Sequence, residues 1–280
     1  PDRPHARSML VLTGCAQAAA APDINAAAAR VLDRLGVRLI TAPQAGCCGA
    51  LSHHLSAEDE ARAQMRRNID AWWPHLEAGV EAIVMTASGC GAMVKDYGQL
   101  LADDPAYAAK AARVSLLTRD LVEVLECEDL EHLGACGGGR AVAFHAPCTL
   151  QHAQRLAGRV EALLARLGFT LTPVRDAHLC CGSAGSFSLL QPALASRLRD
   201  DKLASLEAGG PEIIATANIG CLLHLESGSR LPVRHWIELV DGAMQYEGGR
   251  YQTPSPRTDR CHPVLCPTSD GVQAGRVIRT

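Results

Sequence analysis

Ala45-Gly46-Cys47-Cys48-Gly49 and His178-Leu179-Cys180-Cys181-Gly182 are two copies of one turn, and they decide how the rest of the chain is read. A single cysteine precedes each pair by 31 intervening residues, Cys15 in one case and Cys148 in the other. A fourth cysteine follows, 41 residues past the first pair (Cys90) and 39 past the second (Cys221), each time directly after a glycine. Ordinary packing sets no such offsets for thiols. Shared ligation of something thiophilic does.

The flanking sequence repeats with the cysteines. A short apolar strand leads to each first cysteine, Met9 to Thr13 before Cys15 and Val142 to His145 before Cys148. A helical pattern follows: Val31, Leu32 and Leu35 before Gly36 in one copy, and Leu156, Val160, Leu163, Leu164 and Leu167 before Gly168 in the other. A second strand (Val37 to Thr41, Phe169 to Thr172) ends just before each Cys-Cys-Gly turn. A longer helix comes next, with Ala61, Met65, Ile69, Trp72 and Leu76 on one face in the first copy. A third strand (Ile83 to Thr86, Ile213 to Thr216) feeds each Gly-Cys step. The copies close alike, Val114 to Leu125 beside Ser229 to Val240, sharing Arg119/Glu123 and Arg234/Glu238. The first copy carries sixteen additional residues between Cys90 and Arg119, and Asp103-Asp104-Pro105 predicts a surface helix-turn excursion there.

Strands alternating with helices predict an α/β fold of two tandem Rossmann-like units related by duplication, each a small parallel sheet flanked by helices. The units are expected over 8–130 and 140–244, joined by a glycine-rich linker around 128–140. Periodicity ends at Gln245, which predicts a disordered tail over 245–280. In such sheets ligands collect beyond the carboxyl ends of the strands. All three cysteine-bearing turns of a unit follow strands, so they should converge at one sheet end.

Composition bounds the function classes. The chain has 280 residues, 48% apolar and 20% charged, which is globular. A net charge of -3 with no basic run offers nothing to nucleic acid or an anionic membrane. No apolar run approaches the ~20 residues of a spanning helix. The opening Pro1-Asp2-Arg3-Pro4-His5 is not a secretory signal and reads as a linker or truncation point. Twelve cysteines without an export signal favour a reducing, cytoplasmic setting and metal chemistry over disulfides.

Four thiolates suit zinc or an iron–sulfur cluster. Zinc sites usually pair their ligands in C-x2-4-C knuckles, and none of these eight cysteines is so arranged. Adjacent cysteines on a tight turn, with two distant single ones, describe an object wider than one tetrahedral ion. The glycine after each pair lets backbone approach closely, and the helix behind it aims N–H groups at an anionic centre.

These residues resemble a known family. The doubled pattern is similar to the cysteine-rich CCG domain of heterodisulfide reductases and of the iron–sulfur subunits of glycolate and lactate oxidases. Thr13-Gly14-Cys15, Ala45 to Gly49, His145-Ala146-Pro147-Cys148, Leu179 to Gly185 and Asn218 to Cys221 most resemble the glycolate oxidase iron–sulfur subunit. The resemblance implies an oxidoreductase component, cytoplasmic or peripheral at the inner face of the membrane. It would hold one or two iron–sulfur clusters, of [4Fe-4S] type. Cys15, Cys47, Cys48 and Cys90 would ligate one, and Cys148, Cys180, Cys181 and Cys221 the other. Electrons would come from an FAD-containing 2-hydroxyacid oxidase subunit and pass towards quinone or another membrane-associated acceptor.

Two departures qualify this. Heterodisulfide reductase-like members use a fifth cysteine per unit, where this chain has Met93 and His224. That counts against a non-cubane cluster and makes His224 a further candidate ligand. The glycolate oxidase subunits also carry an amino-terminal ferredoxin-like domain whose cysteine runs are absent here; the linker-like opening favours a start downstream of one.

The remaining candidates have plainer readings. His145 precedes Cys148 on a strand end and could ligate metal or tune a cluster, though a hydrogen-bonded core or rim histidine is the commoner role; His53, His54, His152 and His178 are expected to be surface residues. Cys127 and Cys136 are expected to be packing or linker thiols, Met93 helix packing, and Cys261 and Cys266 exposed thiols. The alternatives are a heterodisulfide reductase-like subunit, a lactate-oxidising counterpart, and a zinc-bound structural or assembly module. The chain shows no flavin fingerprint and no catalytic residue of its own for hydroxyacid oxidation.

Overall fold

Apolar runs too short for helices become the strands of two parallel sheets. In the computed structural model, which describes residues 5–134 and 136–246, the first sheet contains β1 (Arg7–Val11), β2 (Val37–Thr41), β3 (Ile83–Met85) and β4 (Thr118–Asp120) in the order β2-β1-β3-β4. The second contains β5 (Ala141–His145), β6 (Thr170–Leu171), β7 (Ile213–Thr216) and β8 (Val233–His235) in the order β6-β5-β7-β8. Every pairing is parallel, and the two orders are the same. The predicted α/β duplication is the observed fold.

Parallel strands need both faces covered, and amphipathic helices supply the cover. The helix Asp23–Arg34 buries Ile24, Ala27, Ala28, Val31 and Leu32, the spacing of one helical face. Its counterpart, Arg159–Arg166, buries Val160, Leu163 and Leu164. One cluster of buried side chains runs without a break from Met9, Ile24 and Val84 of the first unit to Phe144, Ile214 and Trp236 of the second. A second cluster, with Leu10, Met65, Trp72, Ile83 and Tyr97, fills the outer side of the first unit. The units therefore share a core. At about 1.5–3 kcal/mol per fully buried large aliphatic side chain, the shared cluster is what holds them together.

Polar contacts fix the docking register. The Arg30 guanidinium reaches the Asp241 carboxylate at 2.6 to 3.0 Å. The Ser88 amide donates to the Ala217 carbonyl at 3.0 Å, and the Gly89 amide to Asn218 Oδ1 at 3.1 Å. Ser88 and Thr149 pair through their hydroxyls at 2.8 Å. The turns that follow β3 and β7 thus meet face to face across the join.

Four expectations are revised or bounded. The added segment of the first unit is no surface excursion: its helix Ala108–Leu117 buries Ala111, Val114 and Leu117, and Tyr97 and Leu101 are wholly buried. Asp104 caps the turn from inside, accepting from the Ala106 and Tyr107 amides and from Arg66. The closing strand is correspondingly shorter than Val114 onward suggested, because that stretch ends a helix. The glycine-rich linker is docked: the Gly137 amide donates to Leu167 O at 2.7 Å, and a Cβ at Gly137 would lie 2.4 Å from Phe169 N. The last described helix runs through Tyr246, and the rest of the expected tail, with Cys261 and Cys266, lies outside the described residues.

Candidate metal centre

The four thiols of the first unit come together from three turns beyond the carboxyl ends of β1, β2 and β3. Cys15 stands at the start of the helix Ala16–Ala20, and its Sγ lies 3.6 Å from that of Cys47. Cys48 is buried and in contact with both Cys47 and Cys90. Cys90 is the third residue of the helix Ser88–Lys95. The thiols form a chain in the order Cys15, Cys47, Cys48, Cys90.

The second unit repeats it. Cys148 starts the short helical turn Thr149–Ala153 and contacts Cys180; Cys181 contacts Cys180 and Cys221. Cys221 is the third residue of the helix Ile219–Glu226. Two sulfurs here already accept hydrogen bonds, from the Gly182 amide to Cys180 at 3.3 Å and from the Asn218 side-chain amide to Cys221 at 3.6 Å. Four sulfurs strung in a chain, with Cys148 and Cys221 at helix starts whose N–H groups favour anions, make a soft, anion-stabilising donor set.

The glycine of each Cys-Cys-Gly turn is required twice over. Gly49 and Gly182 have φ of 89° and 90°, the left-handed region. A Cβ on Gly182 would lie 2.6 Å from the Ala195 carbonyl, and one on Gly49 3.2 Å from the Ala61 carbonyl. Both alanines belong to the long helix that follows, Glu58–Glu77 or Pro192–Glu207. That helix is the platform on which each pair rests.

Crowding makes the thiols share protons. Contact with Cys47, then burial, pushes the Cys15 thiol up, and contact with Cys180 does the same to Cys148. Contact with Cys47 favours the thiolate of Cys48, but contact with Cys90 and burial outweigh it and push Cys48 up. Contact with Cys180 and Cys221, then burial, pushes Cys181 up. Cys180 and Cys221 are held well below the usual thiol range, chiefly by the neighbours that keep their protons. Like charges this close do not all ionise unaided; a bound cation would release the remaining protons.

Several supporting residues carried no signal in the sequence. Asn68 accepts from the Gly46 amide and donates to the Cys47 carbonyl, both at 2.8 Å. The Tyr97 hydroxyl donates to the Cys48 carbonyl at 2.7 Å. In the second unit Lys202 is buried beside the thiols, its ammonium donating to the Asp176 carbonyl at 2.8 Å, and burial lowers its pKa. Asn68 and Lys202 each stand seven residues after the alanine that meets the turn glycine, a correspondence visible only once the copies are superposed.

The histidines separate. His224 is directed at the Ala195 carbonyl, 3.2 Å away, not at the thiols. His152 faces the His178 carbonyl at 3.4 Å. His145 is a core histidine, 1% exposed, whose ring nitrogens make no hydrogen bond of good geometry and whose polar neighbour is the Cys221 sulfur. Met93 and Cys136 are buried, as expected of packing residues.

Duplicated α/β units with a thiol chain at each sheet end define a tandem cysteine-rich scaffold whose donor sets suit a thiophilic metal. The family model for the cysteine-rich CCG domain matches residues 9–95 and again 142–226, and the chain belongs to that family. It is 58% identical over 247 residues to the glycolate oxidase iron-sulfur subunit of Escherichia coli, covering 88% of this chain and 60% of that protein. It is 30% identical over 232 residues to lactate utilization protein A of Geobacillus kaustophilus, covering 78% of this chain and 92% of that one. The chain thus spans about three fifths of its Escherichia coli relative. Among solved structures, Picrophilus torridus aspartate racemase aligns over 88% of this chain and 95% of its own at 10% identity, with a TM-score of 0.37. Among the described residues no helix is long and apolar enough to cross a membrane.

Proposed function

We propose that this chain is the CCG portion of an iron–sulfur electron-transfer subunit serving a flavin-dependent 2-hydroxyacid oxidase. Cys15, Cys47, Cys48 and Cys90 of the unit spanning 8–130 hold one cluster, and Cys148, Cys180, Cys181 and Cys221 of the unit spanning 140–244 the other, each of [4Fe-4S] type. The observation that carries this reading is the ordered chain of four thiols, made twice with the same topology. A structural zinc ion would usually draw its thiolates from C-x2-4-C knuckles, which none of these eight cysteines forms.

A bound cluster supplies one-electron acceptance and release; the chain supplies what tunes it. The Gly182 and Asn218 N–H groups bond the sulfurs, and the helix starts at Ser88 and Ile219 favour negative charge. Burial of Cys48, Cys181 and Cys221 keeps water from those sulfurs. The helix that carries Cys90 packs on the turn that follows Cys148, which suits passage of electrons between units. Glycolate is the favoured substrate of the partner subunit, since the glycolate oxidase relative is 58% identical and the lactate utilization relative 30%. The partner carries FAD, and the acceptor is a quinone reached from the inner face of the membrane.

The test is iron and acid-labile sulfide analysis on anaerobically purified protein. Iron and sulfide in comparable amounts, with visible absorption bleached by dithionite, are expected. Zinc without sulfide would establish the structural-module alternative. In the assembled complex, Cys181→Ser should leave the flavin reducible by glycolate while quinone reduction is lost.

A further inference from the structure

The two thiol chains differ in one neighbour. Three residues before the first cysteine of each unit, the strand end delivers Leu12 in one unit and His145 in the other. Leu12 packs in the apolar core. His145 is the last residue of β5, in register with Thr216, and its ring is as buried as the leucine.

An imidazole offers one donor and one acceptor, or two donors when charged. Neither Nδ1 nor Nε2 of His145 makes a hydrogen bond of good geometry, and the ring's polar neighbour is the Cys221 sulfur. Leaving buried polar atoms unmet costs on the order of 1–3 kcal/mol each, so such a side chain is expected to have a ligand to meet. Its neighbours supply the chemistry: a ring nitrogen of His145 and the Sγ atoms of Cys181 and Cys221 all lie within 4.8 Å of one another, and all three residues are buried. One nitrogen and two sulfurs at that spacing can meet at a single metal ion with little rearrangement. Among the described residues no other group of three histidine, cysteine or acidic ligand atoms is brought so close.

Resting on the metal-binding reading above, we propose that His145 is a further ligand to the metal centre of the second nest, beside Cys181 and Cys221. The two centres are then unlike: thiolate alone in the first unit, imidazole and thiolate in the second. Duplication kept the cysteines and changed the donor set through one strand-end residue.

Two measurements on the full chain test this, and they fail independently. The first titrates metal-free protein with cobalt(II), with no sulfide added, and compares the native chain with His145→Leu, which installs the first unit's residue. The variant should lose at least about tenfold in affinity for the ion held in the second nest, while a Cys15→Ser variant, altered only in the first nest, keeps it. Equal affinity in native and His145→Leu protein overturns the assignment. The second loads native protein with iron and sulfide, using histidine labelled with 15N, and records nitrogen hyperfine couplings in the reduced state. This needs no variant, so misfolding of His145→Leu cannot obscure it. A coupling of direct-ligand size from a histidine nitrogen supports the proposal, and its absence in protein carrying both clusters overturns it. Failure of either nest to take up iron and sulfide would sink the proposed function, leaving the cobalt comparison to decide the role of His145.

Discussion

Asp120 and His235 occupy the same position in the two units and perform the same local task. Each ends the fourth strand and caps the closing helix with its side chain, Asp120 Oδ1 accepting from the Val122 amide at 3.2 Å and His235 Nδ1 from the Ile237 amide at 3.3 Å. Each is held in turn by a glutamate three residues on, which accepts the capping residue's own amide: Glu123 at 2.7 Å and Glu238 at 2.8 Å. Both side chains are buried where the units meet. Asp120 Oδ2 accepts from Gln154 of the second unit at 3.2 Å, and the His235 ring lies against the carbonyls of Thr86 and Ala217. One cap is an acid and the other an imidazole, so burial shifts them in opposite directions.

Burial pushes His235 down to about 3 from an ordinary 6.5. The unfolded chain therefore binds this proton more readily than the folded one. Its stabilising effect is complete above about pH 6.5 and is lost as pH falls towards 3, by up to about 1.4 kcal/mol per pH unit. His235→Asn keeps a capping side chain and removes the titration. Urea midpoints at pH 7.5 and 5.0 should drop less on acidification for the variant than for the native protein. Equal drops would show that other groups govern acid sensitivity.

Asp120 answers with the reverse sign. Burial lifts it from 3.8 to about 6, so the folded state holds the proton more tightly than the unfolded state. Stability from this group is greatest below about pH 4 and declines as pH rises through 6, by up to about 3 kcal/mol. Asp120→Asn keeps the cap without the charge. It should gain on the native protein at pH 7.5 relative to pH 4.5, measured by denaturant midpoints. A difference that is the same at both pH values would remove ionisation as the cause.

Much of the fold and of the thiol sites is legible in the chain, for physical reasons. β2 and β7 follow from apolar runs that stop at Thr41 and Thr216, and the thiols from their doubled offsets. The segment after Cys90 misleads because Asp103-Asp104-Pro105 has turn composition. Its apolar partners, Leu101 before it and Ala111 and Val114 after it, form one face only when the chain doubles back. His145 has no local signature either. A histidine ending a strand can face core, solvent or site, and only the packing of β5 beside β7 aims it at Cys181 and Cys221.

Three glycines grade the cost of a side chain in the left-handed region. Gly79 has φ of 90° with open space around it, so Gly79→Ala should cost about 1–2 kcal/mol from backbone strain alone. Gly49→Ala adds a tight approach to Ala61 O, and Gly182→Ala a collision with Ala195 O at 2.6 Å. Urea denaturation of metal-free protein should rank them Gly182, Gly49, Gly79 from most to least damaging. A Gly182→Ala cost no greater than that of Gly79→Ala would show that the turn does not rest on the helix.

Asn68 and Tyr97 are expected to govern the first centre without touching metal. Asn68 spans the Gly46 amide and the Cys47 carbonyl and also donates to the Tyr97 hydroxyl at 3.1 Å; that hydroxyl in turn holds the Cys48 carbonyl. Tyr97→Phe keeps the ring beside Trp72 and removes only the hydroxyl, leaving a buried carbonyl and a buried amide short of one partner each. A loss of about 1–3 kcal/mol follows from those unmet groups. Asn68→Ala should cost more, because it frees the backbone on both sides of Cys47. Since neither residue reaches the second nest, iron bound per chain should fall towards half of the native value in Asn68→Ala, with the second centre's spectrum unchanged. Equal loss from both centres would mean that these bonds hold the shared fold and not the placement of Cys47 and Cys48.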